Sequence, residues 1–206
     1  MEESKVRIGV LGGTFDPIHN GHILVAEEVI SRLNLEQVIF VPAGRPWLKE
    51  GNVITAVEHR VAMVRLAIGD NPAFKLSLVE VSRPGPSLSV DTVAELQAQL
   101  GKDVELFFII GCDNLTQLPR WKEPARLIKM CRLVVVPRPG YVLPDLSALE
   151  VCIPGLSRSL ILLDKPEVDI DATGIRQRIA QGLPVNHLVP AAVDEYIRRH
   201  RLYITR

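Results

Sequence analysis

Cysteine is scarce in this chain of 206 residues: Cys112, Cys131 and Cys152 stand far apart and no C-x-x-C pair occurs. That argues against a disulfide framework and a zinc knuckle, and leaves three buried or idle thiols as the expectation. Net charge is lacking as well, with 24 Lys and Arg set against 24 Asp and Glu. No global field therefore favours nucleic acid or an anionic membrane, and any phosphate binding must be local. No apolar run approaches the length of a membrane span, and the stretch "MEESKVRIGV" starts acidic with too short a run for a signal segment. The expected location is the cytoplasm. Internal repeats and low-complexity tracts are also missing.

What is present is an ordinary globular composition, 47% hydrophobic and 23% charged, enough for one sizeable core. A single domain over 1–206 is expected, with a small C-terminal helical part from about 170. Short β-rich runs alternate with helical patterns: "VRIGVLG", "GHILVAEEVISRL", "QVIFVPA", then "TAVEHRVAMVRLAIG". Such alternation marks βαβ units. In the last of these, Val57, Val61, Val64 and Ile68 share one helical face that should pack on the sheet, with Thr55 placed to cap the start. Further along come "FKLSLVEVS" as a strand, "SVDTVAELQAQLG" as a helix closed by Gly101, and "VELFFIIG" and "RLVVVP" as strands. Strands apolar throughout imply a parallel sheet covered on both faces, hence an α/β fold. The last third holds "SLILLD", a helix "TGIRQRIAQG", and "PAAVDEYIRRH" with proline placed for its first turn. The loops "AGRPWLKEGN" and "RPGPSLS" are rich in Gly, Pro and Ser, as functional loops often are.

The first strand leaves through "LGGTFDPIHNGH", Leu11 to His22. A parallel sheet binds ligands at the carboxyl ends of its strands, and this segment runs from such an edge into a helix start near Asn20. Gly12 and Gly13 allow backbone conformations closed to other residues and let an anion approach bare N–H groups, while the helix dipole points at the same place. Neither G-x-G-x-x-G nor G-K-[ST] is spelled here, so it is neither a dinucleotide fingerprint nor a P-loop. His19 and His22 fall on about the same helical face. Two histidines three apart also suit zinc, yet no third ligand stands at the right spacing. Capping or core packing is the other reading; beside a glycine turn, the pair reads as phosphate donors.

At these residues the chain resembles the nucleotidyltransferase superfamily, whose motif is G-x-F-D-P-x-H-x-G-H and which includes the catalytic domains of class I aminoacyl-tRNA synthetases. Within it, "FVPAGRPWLK", "HRVAMVRLAI", "SRPGPSLSVDT", "FFIIGCDNLTQLPRW", "VVVPRPG" and "DIDATGIR" are similar to the bacterial nicotinate-nucleotide adenylyltransferase family over nearly the whole length. The resemblance implies a Rossmann-like parallel sheet with helices on both faces. It also implies a reaction: the AMP part of ATP is joined to nicotinate mononucleotide, giving deamido-NAD and pyrophosphate in NAD biosynthesis. An attacking phosphate is already ionised near neutral pH, so positioning and charge neutralisation carry such a step.

The same resemblance distributes roles. His19 and His22 donate to the ATP phosphates, best when protonated, and Arg176 clamps the triphosphate beside Thr173 at a second helix start. Gly12, Gly13, Thr14 and Phe15 line the ATP site, and Gly111 and Asp113 meet the adenosine ribose, unless Asp113 is a surface-loop aspartate. Trp121 stacks on the pyridine ring; Lys49, Ser89 and Arg138 face the acceptor. Asp16 lies on the acceptor side and either touches the magnesium shell or stabilises the turn before Pro17. No acidic cluster suggests a dedicated metal site, so Mg2+ should arrive with ATP. ATP and nicotinate mononucleotide are the expected partners, without nucleic acid or membrane; a homo-oligomer is compatible.

Four positions depart from the family pattern: Leu48 replaces a histidine, Leu88 and Ser89 replace Tyr and Thr, and Asp171 replaces a serine. Asp171 either caps its helix, the favoured reading, or alters the phosphate contact. The departures keep two alternatives in view: transfer to another acceptor, such as nicotinamide mononucleotide or phosphopantetheine, and a nucleotide-binding module with weakened catalysis.

Overall fold

In a computed structural model the chain is described over residues 5–46 and 53–204. Among these residues six parallel strands form one sheet: β1 (Val6–Gly13), β2 (Gln37–Pro42), β3 (Phe74–Leu76), β4 (Val104–Gly111), β5 (Cys131–Val136) and β6 (Leu160–Leu162). Their order is β3-β2-β1-β4-β5-β6. β1 pairs on one side with β2, Gly13 opposite Pro42, and on the other with β4, Leu11 opposite Ile109. Connections therefore run outward in opposite directions from β1 and β4, and the crevice between them is the place where such sheets take ligands.

Apart from Arg7, Gln37, Glu105 and Arg132 near the amino ends of their strands and Lys75 in the edge strand β3, the strands are apolar because both faces are covered. In β4, Leu106, Phe108 and Ile110 enter one hydrophobic cluster while Phe107 and Ile109 enter the other. The first cluster is closed by α4 (Ser89–Leu100), the short α5 (Cys112–Leu115), α6 (Pro124–Met130), α7 (Leu146–Cys152) and α8 (Leu156–Ser159). The second is closed by α1 (Asn20–Leu33), α2 (Val57–Ile68), α9 (Ala172–Ala180) and α10 (Ala191–Arg199). Cys112 and Cys131 are buried thiols, the latter pushed up to about 12 by burial, and Cys152 is exposed; none of the three is disulfide-bonded.

Several local expectations need correction. "FKLSLVEVS" is not one strand: β3 stops at Leu76 and a helical turn α3 (Val79–Ser82) follows, because Val79 and Glu80 turn inward under α4. Ala56, not Thr55, precedes the first turn of α2, and the Thr55 backbone N–H is taken by Asp16 instead. The inward face of α2 is also rotated: Arg60, Met63, Val64 and Ile68 are buried while Val57 and Val61 are half-buried. That helix is held between the sheet and α10, so two sides of it are covered. Pro190 sits just before the first turn of α10 rather than within it. Gly101, with φ 92, does close α4.

Candidate active site

A cleft of about 510 Å³ opens at the carboxyl edge of β1 and β4. The residues expected to act together do meet here: Gly12, Gly13, Thr14, Phe15, Asp16, His19 and His22 from the first turn, Ser89, Gly111, Asp113, Trp121 and Arg138, and Thr173 and Arg176 all line it. Lys49 and Leu48 lie outside the described residues.

The turn from β1 to α1 is built differently from the glycine argument. Gly12 and Gly13 remain in the strand, and the left-handed backbone falls on Phe15, with φ 51. Gly13 matters for close approach, since a Cβ there would sit 3.1 Å from the Phe15 ring. Gly21 is required more strongly: a Cβ would collide with Val168 and lie 3.0 Å from His19 Nδ1. A glycine between the two histidines lets the 168–170 segment close over the helix start.

His19 is the residue before α1 and His22 lies in its first turn. The His19 backbone N–H donates to His22 Nδ1 at 3.2 Å, which puts the neutral His22 proton on Nε2. The Phe15 ring meets His22 edge-on, 4.9 Å between centroids. His19 is 6% exposed and its Nδ1 has no hydrogen-bond partner among the described residues. Burial, reinforced by the Arg138 charge and opposed by Asp171, brings its pKa down to about 4. The expectation of a protonated His19 is thereby corrected for the unliganded cleft: at neutral pH the ring is neutral, and incoming phosphate charge would raise its pKa.

Across the cleft, α9 aims its start at the same space. Asp171 Oδ1 accepts from the N–H groups of Thr173 and Gly174, each at 2.9 Å, so the aspartate caps the helix as favoured from sequence. Arg176 donates to the Asp16 carbonyl at 2.7 Å and to the Thr173 hydroxyl at 3.2 Å. Two helix starts and three basic side chains thus converge on one region, an arrangement that neutralises a polyanion. At the end of β4, Asp113 Oδ2 accepts from Arg138 Nη1 at 2.9 Å, so these two expected ligands of different substrate parts hold each other. Trp121 meets Phe108 edge-on at 6.2 Å, and its buried indole N–H has no acceptor among the described residues. Asp16 is 5% exposed, and its carboxylate accepts from the Thr55 N–H at 3.1 Å and the Tyr203 hydroxyl at 2.7 Å.

The cytidylyltransferase-like family model matches residues 10–178. A relative from Dehalococcoides mccartyi (strain BAV1), named "Probable nicotinate-nucleotide adenylyltransferase", is 49% identical over 97% of this chain and 98% of its own length. A relative of the same name from a Roseiflexus species (strain RS-1) is 48% identical over 97% and 99%. The chain belongs to the nicotinate-nucleotide adenylyltransferase family. The fold agrees: the solved Plasmodium falciparum nicotinic acid mononucleotide adenylyltransferase complexed with NaAD superimposes with a TM-score of 0.76 at 20% identity, covering 96% of this chain and 97% of that one.

This adenylyltransferase-family chain also carries site residues to which the sequence reading gives no role. Arg60, 2% exposed, spends its guanidinium on the carbonyls of Thr55 at 2.9 Å, Thr14 at 2.8 Å and Ala43 at 2.7 Å. Buried without a bulk-water shell, its charge is spread over carbonyl dipoles, and it fixes the loops after β1 and β2 together. Glu80, also buried, accepts from the Thr92 hydroxyl at 2.6 Å and from Ser87. Its carbonyl lies where a Cβ on Gly44 would be, so the loops at 43–46 and 83–88 meet around one residue. Inside "HRVAMVRLAI" and "SLVEVS" neither charge stands apart from surface charges; only the tertiary contacts identify them. Among the described residues no group of three or more His, Cys, Asp or Glu is placed to hold a metal ion, and no helix is long and apolar enough to cross a membrane.

Proposed function

We propose that the chain transfers the AMP moiety of ATP to nicotinate mononucleotide, forming deamido-NAD and pyrophosphate. A phosphate oxygen of the mononucleotide attacks the α-phosphorus of ATP in line. The new P–O bond forms as the bond to the bridging oxygen of the β-phosphate breaks, and pyrophosphate leaves with that electron pair. The observation that carries this reading is the convergence of His19, His22 and Arg176, from two helix starts, on one cleft at the crevice between β1 and β4. With the nucleophile already ionised, these groups need only hold the triphosphate and stabilise charge growing on the transferring phosphoryl group.

Magnesium enters as part of the nucleotide substrate, held by the phosphates and water. Asp16 is an unsuitable cage for it, since both carboxylate oxygens already accept protein donors; Asp113 likewise faces Arg138. The adenosine end belongs beside Gly111 and the Asp113–Arg138 pair, where a ribose hydroxyl competes for the carboxylate. The pyridine end belongs between Trp121 and the start of α4 at Ser89. Lys49, outside the described residues, is assigned to the acceptor's phosphate by the family resemblance alone.

The test is pyrophosphate release from ATP and magnesium with nicotinate mononucleotide, nicotinamide mononucleotide or phosphopantetheine supplied separately. Fast release with the first and little with the others supports the proposal. Release with another acceptor alone reassigns the substrate, and nucleotide binding without release favours the binding-module alternative.

A further inference from the structure

The segment that follows α10 reaches the catalytic turn. Tyr203 donates its hydroxyl to Asp16 Oδ1 at 2.7 Å, across 187 positions of sequence. The acceptor is buried, and its other oxygen already serves the Thr55 N–H. The Asp16 main-chain carbonyl is the oxygen on which Arg176 rests, at 2.7 Å. A single residue therefore joins the segment after α10, the segment entering α2, the arginine of α9, and the turn that leads three residues later into His19.

The segment after α10 is held in place for this contact. α10 packs Val193 and Ile197 into the second cluster, and its Tyr196 hydroxyl lies 2.9 Å from His59 Nδ1 on α2. After the helix the backbone turns through left-handed positions at Arg201, φ 50, and at Tyr203 itself, φ 64. That conformation is uncommon for a bulky side chain and persists where the surroundings over-determine it. A tyrosine wanted only for its ring could be a phenylalanine; here the hydroxyl meets a buried carboxylate.

We infer that Tyr203 is a positioning residue for phosphoryl transfer: through Asp16 it sets the turn that carries His19 and His22 and the carbonyl that braces Arg176. The inference rests on the adenylyl-transfer reading above. Without the hydroxyl, Asp16 Oδ1 loses a donor in a site that water reaches poorly, and the carboxylate turns toward another. Both neighbouring peptide units then shift relative to Arg176.

Steady-state kinetics of wild type, Tyr203→Phe, Asp16→Ala and the double variant test this. Tyr203→Phe keeps the ring, and its turnover is expected to fall about tenfold through misplacement of groups it does not touch, with KM for ATP and acceptor changed less than about twofold. The double variant is expected to be no slower than Asp16→Ala alone, because the tyrosine acts through that residue. Unchanged turnover in Tyr203→Phe, or additive losses in the double variant, overturns the inference while leaving the reaction intact. A second readout needs no turnover: the ring-nitrogen resonances of His19 and His22 shift in Tyr203→Phe, and unchanged resonances overturn the inference. Wild type that releases no pyrophosphate with any acceptor refutes the proposed reaction, and the resonances then decide the positioning role alone.

Discussion

The imidazoles of His19 and His22 are stacked, with centroids 3.7 Å apart and planes 30° from parallel. Stacking and the hydrogen bond from the His19 N–H to His22 Nδ1 fix both rings before any nucleotide arrives, which is the preorganisation that transition-state donors need. His22→Ala is therefore expected to lower turnover about a hundredfold while ATP affinity changes only a few-fold. Loss of the backbone contact costs about 1 kcal/mol of stability. Equal turnover of variant and wild type removes His22 from the mechanism.

His19 makes stability depend on pH. Its pKa is about 4 in the folded chain against an ordinary 6.5, so between these values the unfolded chain binds more protons than the folded one. Stability is full above about pH 6.5 and falls as the pH drops toward 4. From this group alone, urea unfolding should show a loss of about 2 kcal/mol between pH 7.5 and pH 5. In His19→Gln that increment disappears. An identical pH dependence in variant and wild type excludes His19 as its source.

Much of this architecture is legible in the sequence. Strands with long apolar runs, alternating with helical periods, point to a doubly covered parallel sheet, and the turn at Leu11 to His22 marks its ligand edge. What pattern does not reveal is contact between distant segments. Arg60 in a helical stretch, Glu80 in a stretch expected to be a strand, and Tyr203 after the last helix receive no role from pattern, until the fold sets them against Thr14, Thr92 and Asp16. Short turns such as α3 and α8, four residues each, have no period to detect. The sequence points to conformational freedom at Gly12 and Gly13, yet the left-handed residue is Phe15, and what Gly13 supplies is space beside the Phe15 ring.

Trp121 packs edge-on against Phe108 as well as lining the cleft. Trp121→Ala therefore mixes two effects, a stability loss of about 3 kcal/mol and the loss of a flat surface for the pyridine ring. Trp121→Phe separates them by keeping an aromatic face. KM for the mononucleotide is expected to rise at least about tenfold in the alanine variant and much less in the phenylalanine variant, with KM for ATP nearly constant. Equal acceptor KM across all three sinks the stacking role.

Asp171 places a carboxylate on a cleft that must admit a triphosphate, and in compensation it caps α9 with two hydrogen bonds of 2.9 Å. Serine caps a helix about as well as aspartate but carries no charge. Asp171→Ser should thus leave stability within about 0.5 kcal/mol. KM for ATP should fall a few-fold at low ionic strength, the gain shrinking as salt screens the repulsion. The aspartate charge also raises the pKa of His19, so its removal pushes that histidine further down and narrows the pH range over which the ring protonates beside bound phosphate. Weaker ATP binding in Asp171→Ser, at unchanged stability, would instead give the carboxylate a direct part in holding the nucleotide or its magnesium.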